Sequence, residues 1–248
     1  MRSEFVLSHT LTIKEGDLPG VLSFFDLRTE GNSPRITSSP EAPLVRLLFE
    51  EERYRNLLLK ELGVEPEVIW ELEQKRPILP AGWKSKPGDV DILLLPTDPR
   101  LSTAIEAKRY KVTLTPDGEL AGSGLEDLIA KGAEQLRGLL SIGFHRVVFM
   151  ILIPTDGAAR QGGNALDHGP SDALFNQILN EINKRQLPEE AGVLIVTVEQ
   201  PAEASFATLG KVTACLTRAP KAREQAIDLT ERIVNALNLG WGIRAPKV

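Results

Sequence analysis

Two short segments carry the most informative residues of this chain: PGDVDILLL at residues 87–95 and TAIEAKRY at residues 103–110. Their apolar runs predict neighbouring β-strands, and alternate residues of a strand share a face. Glu106 and Lys108 therefore share one face of the second strand, as Asp89 and Asp91 do in the first. Charges in apolar strands are costly unless they are paired or bind a metal. We expect Asp91, Glu106 and Lys108 to lie together.

These residue types suit one kind of chemistry. Two carboxylates offer the oxygen ligands that Mg²⁺ prefers, and this ion keeps several waters of its own. A neighbouring lysine can orient an attacking water or help to deprotonate it. The ion polarises a phosphoryl oxygen and stabilises the charge that develops on the leaving oxygen. The pattern thus indicates metal-assisted phosphodiester hydrolysis.

The same residues resemble the motif of the PD-(D/E)XK nuclease superfamily, which includes restriction enzymes, Holliday junction resolvases and RecB-type exonucleases. The matching residues are Asp91, a spacer of fourteen residues (92–105), and Glu106-Ala107-Lys108. The resemblance implies that Asp91 and Glu106 ligate Mg²⁺, with Mn²⁺ as a substitute, and that the backbone carbonyl of Ala107 joins them. It implies that Lys108 serves the water. Val90, and not a proline, precedes Asp91, which is a small departure.

Three further residues are candidates for the site. Many members of the superfamily add an acid from the preceding helix, and on a helical wheel Glu51 falls near the centre of the leucine stripe of residues 44–62. The alternative interpretation of Glu51 is a charge that is tolerated near a helix end and has no role in the site. Asp89 is either a second carboxylate at the site or a turn residue. Gln135 occupies the place of the RecB-type helix glutamine, although the aromatic residue that often follows is absent; otherwise it is a polar residue at the helix edge.

The remaining patterns predict an α/β fold of the restriction-endonuclease-like type. Ser39-Pro40-Glu41 is a helix start, and Gly63 ends one continuous helix. The core order is αβββαβ over about residues 40–155, and an αββα extension follows over about residues 170–240. Residues 1–248 are expected to form a single nuclease domain with a central mixed sheet flanked by helices. The predicted elements after the helix are strands at 66–76, 89–95 and 103–114, a helix at 124–144, a strand at 145–154, a helix at 171–187, a strand at 192–200, a short edge strand at 211–217 and a helix at 221–240.

Composition excludes several classes of protein. The chain of 248 residues is 42% hydrophobic and 25% charged, which is typical of a soluble globular protein. Cys215 is the only cysteine, so no intrachain disulfide can form, which fits a reducing cytosol. Cys215 itself is expected to be a small apolar residue in a strand. No signal-peptide core is present, and the longest apolar run, residues 147–154, is too short to span a bilayer. These features predict a cytoplasmic protein without a membrane partner.

Charge is distributed unevenly. The net charge is −5, yet residues 75–112 contain eight basic and four acidic residues, a local excess of +4. A basic rim around a metal site is the footprint expected for a phosphate backbone, and DNA is therefore the expected partner. Trp83 either stacks on a base or anchors its loop, the more common role. The basic residues are Lys75, Arg76, Lys84, Lys86, Arg100, Lys108, Arg109 and Lys111.

The expected function is Mg²⁺-dependent hydrolysis of DNA by an endonuclease of restriction, defence or repair. The incomplete helix motif around Gln135 favours an endonuclease over a RecB-type exonuclease. Two other classes stay open: a catalytically silent nucleic-acid-binding protein of the same fold, and an enzyme of small phosphate esters. The sequence does not separate DNA from RNA, a monomer from a homodimer, or a contact role from disorder for the glycine-rich loop at 155–171. His145 and His168 are expected to be structural or solvated.

Overall fold

The computed structural model describes residues 9–13, 40–74, 78–81, 83, 89–114, 120–156, 172–200 and 210–239. The described helices are α1 (Glu41–Glu50), α2 (Glu52–Leu62), α3 (Leu125–Ile142), α4 (Asp172–Lys184) and α5 (Ile227–Asn238). The described strands are β1 (His9–Ile13), β2 (Ile69–Gln74), β3 (Val90–Leu95), β4 (Thr103–Arg109), β5 (Val112–Leu114), β6 (Leu120–Gly122), β7 (Arg146–Asp156), β8 (Gly192–Gln200) and β9 (Gly210–Arg218).

Seven of the described strands form one sheet in the order β1-β9-β8-β7-β4-β3-β2. The strands β4, β7 and β8 run parallel to one another, and the other neighbours pair antiparallel. The sheet is mixed and carries strands from both the predicted core and the predicted extension. The predicted α/β fold class, with a central mixed sheet flanked by helices, is confirmed.

Helices cover both faces of this sheet. One hydrophobic cluster joins α1 and α2 to one face, and a second joins α3, α4 and α5 to the other. Because β3 and β7 are covered on both sides, their sequences are continuous apolar runs and do not alternate. Ile92 and Leu94 of β3 belong to the first cluster, and Leu93 and Leu95 to the second.

The first helical region is broken, which corrects the prediction of one helix up to Gly63. Glu51 has ψ of 114°, an extended value, so α1 stops there and α2 begins at Glu52. The Arg55 side chain donates to the carbonyl of Phe49 at 2.7 Å, which satisfies a carbonyl that the end of α1 leaves without a helical partner. The same guanidinium lies 5.3 Å from the centroid of the Trp70 ring. The break is therefore held by contacts to the sheet.

Two strand predictions also need correction. The predicted strand at 103–114 is two strands, because β5 leaves the main sheet after Tyr110 and pairs with β6. The strand β6 lies between the predicted strand at 103–114 and the predicted helix at 124–144. The segment at 211–217 is not an edge strand: β9 lies between β8 and β1, with nine residues. The pairing partner β1 comes from the start of the chain, and local sequence contains no signal for this long-range pairing.

The closing helix begins at Ile227 and not at Lys221. Residues 221–226 belong to no helix or strand, and the side chain of Gln225 joins this segment to the start of β4. The Gln225 side chain accepts hydrogen bonds from the backbone N–H and the hydroxyl of Ser102, and it donates to the Pro99 carbonyl and the Thr230 hydroxyl. This buried network occupies the end of β4 that precedes Glu106.

Candidate active site

The site forms where β3 and β4 separate. Their ladder ends at the Ile92–Ile105 pair, so the next residue of β3, Asp91, is outside the ladder. The Asp91 carboxylate accepts a hydrogen bond from the backbone N–H of Ala107 at 2.8 Å. The Asp91 side chain thereby accepts the Ala107 N–H that a backbone carbonyl of β3 would accept if the ladder continued. This contact brings the acid of the first segment beside the Glu-Ala-Lys motif of the second.

Glu106 and Lys108 project from the part of β4 beyond this fork. Glu106 has a fully buried side chain, and Lys108 is 20% exposed and forms a short ion pair with Glu106 Oε1. The Lys108 ammonium also donates to the Ala107 carbonyl at 2.8 Å and lies 3.9 Å from Asp91 Oδ2. Glu106 Oε2 is buried and has no hydrogen-bond partner among the described residues. Asp91, Glu106 and Lys108 are therefore together, as the strand patterns predict.

The acid that the preceding helix contributes is Glu41, not Glu51. Glu41 Oε2 accepts from the backbone N–H of Arg109 at 2.7 Å, and Glu41 Oε1 lies 3.9 Å from the Lys108 ammonium. Glu51 lies at the other end of α1, about 15 Å away at a rise of 1.5 Å per residue. The structure does not bring Glu51 to the cluster. The sequence contains a signal for Glu41, which is the acidic first residue of a helix, but a wheel drawn for one continuous helix favours Glu51.

Burial governs the protonation of the acids. It raises the pKa of the Asp91 carboxyl to about 6, against the attraction of Lys108 and the hydrogen bond from Ala107. Burial and then the charge of Asp91 raise the pKa of Glu106 to about 8. Burial by itself would lower the pKa of Lys108, but the charges of Glu106, Glu41 and Asp91 outweigh it and the pKa is raised. Perturbed groups of this kind cluster at functional sites.

A small cleft opens beside the acids. Its volume is about 270 Å³. Its wall combines carboxylates from α1 and β3 with apolar side chains and one arginine. The cleft gives solvent access to Asp91 and Glu41, whose side chains are 21% and 32% exposed. The lining residues are Glu41, Ala42, Val45, Arg46, Leu72, Asp89 and Asp91.

The donor set fits a hard divalent cation. The groups are three carboxylates and one backbone carbonyl, all oxygen ligands, and Glu106 Oε2 is buried without a partner. When ionised, the three carboxylates carry a charge of −3; the Lys108 ammonium offsets one of these charges, and a divalent ion in its place would offset two. No three His, Cys, Asp or Glu side chains in the described ranges form a ready-made metal cluster. The Lys108 ammonium lies within ion-pair distance of all three carboxylates.

The other predicted residues fall in different places. Asp89 is half-buried, lines the cleft and contributes to the raised pKa of Asp91, so it lies beside the cluster. Gln135 is half-buried on α3, and among the residues that the structure describes its side chain takes no part in the hydrogen bonds of the acid cluster. His145 lies at the opposite end of the sheet, where its ring nitrogen bonds the Arg223 carbonyl. His168 lies outside the described residues.

Two predictions about apolar anchoring are confirmed. Trp83 packs against the hydrophobic cluster on the α3 side of the sheet, which favours the role of a loop anchor. Cys215 is a buried residue of β9 in the same cluster. Of the predicted basic rim, Lys108, Arg109, Lys111 and Arg100 are described. The structure does not describe the other four basic residues, Lys75, Arg76, Lys84 and Lys86, or most of the 155–171 loop.

Comparisons with known proteins add little. No protein-family model and no curated protein matches the chain. Among solved structures, the chain is similar to SfsA of Pyrococcus furiosus, determined in complex with Ca²⁺, with 11% identity and a TM-score of 0.31. The match covers 73% of this chain and 64% of that one, so this chain spans less than two thirds of the length of SfsA. A likeness this distant leaves function to be argued from the site. No helix in the described part of the chain is long and apolar enough to cross a membrane.

Proposed function

We propose that this protein is a Mg²⁺-dependent nuclease that hydrolyses phosphodiester bonds of DNA. The observation that carries the proposal is the cluster at the β3–β4 fork, where Asp91, Glu106 and Glu41 surround Lys108. Three carboxylates and a lysine at the point where two buried strands separate are costly for stability. Their cost is explained if they bind a cation and a phosphate.

Asp91, Glu106 and the Ala107 carbonyl would hold the ion, and Glu41 extends this set from α1. The bound ion would supply a Lewis acid that polarises the phosphoryl oxygen. Glu106 offers its unpartnered Oε2, and the hydrogen bond from Ala107 fixes the orientation of Asp91. The Lys108 ammonium is the hydrogen-bond donor of the cluster that would position an attacking water. Asp89 adds negative charge at the edge of the cleft.

We propose endonuclease action, for which the support comes from the helix after the motif. Gln135 is the residue that a RecB-type exonuclease pattern would place at the site, and it makes no hydrogen bond to the acid cluster. DNA as the substrate is supported by the local excess of +4 over residues 75–112. Flanking cations attract a polyanion and hold its backbone near the metal.

The test uses purified protein with supercoiled plasmid, linear duplex and single-stranded DNA, each with Mg²⁺, Mn²⁺ or EDTA. Glu106→Gln is the key variant, since it keeps the shape of the side chain and removes the ligand charge. We expect metal-dependent cutting that falls by at least about a thousandfold in the variant, the equivalent of roughly 4 kcal/mol. Glu134→Gln, an exposed acid of α3, is the matched control and should cut normally.

The pattern of products separates the alternatives. Discrete bands or nicks support an endonuclease, whereas shortening from free ends supports an exonuclease. Metal-independent cutting, or full activity of Glu106→Gln, would contradict the assignment of the site. Retention of DNA without any cutting, in the presence of metal, would support the silent binding protein of the same fold.

A further inference from the structure

The Lys108 ammonium contacts every oxygen-bearing group of the proposed metal site. It forms an ion pair with Glu106 and donates to the Ala107 carbonyl at 2.8 Å. It lies 3.9 Å from both Asp91 Oδ2 and Glu41 Oε1. The ammonium therefore already occupies the position of a cation among these ligands. Two cations cannot share these oxygens at such distances, because their repulsion is strong in a partly buried place.

We infer that Lys108 and a divalent cation compete for one site, so that Lys108 is released toward the substrate only when the cation binds. This inference rests on the proposed function and adds how the cation would regulate the site. Lys108 has four methylene groups between backbone and ammonium, so its head can move while β4 stays in place. The direction of release is toward the open side, because Glu106 is fully buried and the cleft lies beside Asp91 and Glu41.

Competition has two consequences. In the absence of a divalent cation, Lys108 offsets the repulsion between three carboxylates and holds the fork together. The ion pair with Glu106 also holds the ammonium of Lys108 away from an attacking water or a phosphate. Binding of the cation and activation of the lysine are thus one coupled event. A nuclease built in this way has its lysine engaged until the metal is present.

The first experiment measures Mg²⁺ binding by titration calorimetry on the full-length protein after removal of metal with EDTA. We compare the natural chain with Lys108→Met, which keeps an unbranched side chain that is one atom shorter and removes the ammonium. Lys131→Met, an exposed lysine of α3, controls for total charge. We expect Lys108→Met to bind Mg²⁺ about tenfold more tightly or better, since it loses the competing charge. Lys131→Met should bind like the natural chain.

The second experiment needs no variant, so it stands even if Lys108→Met fails to fold. The natural chain is treated with an amine-acylating reagent with and without saturating Mg²⁺, and labelling of each lysine is measured by mass spectrometry. We expect labelling of Lys108 to rise several-fold with Mg²⁺ while labelling of Lys131 stays constant. Equal or weaker binding by Lys108→Met, or constant labelling of Lys108 in a protein that binds Mg²⁺, would overturn the competition and leave the proposed function intact. A natural chain that binds no Mg²⁺ would overturn both.

Discussion

Glu41 accepts a hydrogen bond from the backbone N–H of Arg109 at 2.7 Å, and this contact joins the first residue of α1 to the strand that carries the Glu-Ala-Lys motif. The bond fixes one carboxylate oxygen and directs the other toward Lys108, 3.9 Å away. A residue 65 positions earlier in the chain than Glu106 thus belongs to the same cluster. The start of α1 is part of the site, and its far end at Glu51 is not.

The first prediction compares these two acids. Glu41→Gln should lower metal-dependent cleavage by roughly ten- to a hundredfold, because it removes one charge from the ligand cluster. Glu51→Gln should cleave DNA at the natural rate. Both are measured as initial rates on one DNA substrate at several Mg²⁺ concentrations. The reverse order of the two effects would return the role to Glu51 and contradict the assignment of Glu41.

The second prediction concerns pH and stability without metal. The folded-state pKa values of Asp91 and Glu106, about 6 and about 8, lie above their ordinary values of 3.8 and 4.5. The folded chain therefore holds protons that the unfolded chain releases, and the free energy of unfolding falls as pH rises from about 4 to about 8. Thermal unfolding in EDTA should show this loss, and Glu106→Gln should reduce it. A stability that rises over this range in the natural chain but not in Glu106→Gln would contradict the prediction.

The third prediction follows from the same pKa values. Protonated carboxyl groups do not bind Mg²⁺, so addition of Mg²⁺ should raise the melting temperature at about pH 8.5 and have little effect at about pH 5. Cleavage should rise with pH across the range between the two pKa values. Differential scanning calorimetry at both pH values provides the measurement. Equal stabilisation by Mg²⁺ at both would show that these carboxyls are not the ligands.

The fourth prediction tests the end of β4 that lies away from the site. Gln225→Leu should destabilise the protein by about 1–3 kcal/mol, because it leaves the buried Ser102 groups without their acceptor. Its cleavage rate should be natural at a temperature where it is folded, since Ser102 and Lys108 are about 20 Å apart along the strand. Urea unfolding measures the first effect. Loss of cleavage at full stability would show that this end communicates with the site.

The fifth prediction concerns the contact between α3 and β7 beside Glu106. A Cβ at Gly132 would lie 2.5 Å from the ring of Phe149, and Phe149 is the register partner of Glu106. Gly132→Ala should therefore cost about 1–2 kcal/mol, although alanine is the better helix former. Chemical denaturation measures this. Adding Phe149→Leu to Gly132→Ala should restore much of the lost stability, because it removes the overlap with the ring. A Gly132→Ala protein as stable as the natural chain would contradict the prediction and show that the helix shifts freely.

Much of this molecule is predictable from local sequence. The apolar runs of β3, β4, β7 and β8 predict buried strands, because strands covered on both faces need such runs. The acid and the Glu-Ala-Lys motif lie on strands that follow one another closely, so Asp91, Glu106 and Lys108 could be expected to meet. Strand periodicity and the cost of buried charge were sufficient for that conclusion.

The tertiary structure decided which helical acid joins them. Local sequence from Glu41 to Gly63 reads as one helix, and only the extended backbone of Glu51 divides it. Arg55 holds that break: its side chain donates to the Phe49 carbonyl and lies over the ring of Trp70. Trp70 belongs to the sheet and is not part of the helical pattern. Local propensity does not contain the energy of contacts made after the helix packs. The same reason explains β9, whose inner place in the sheet depends on pairing with β1, some two hundred residues earlier.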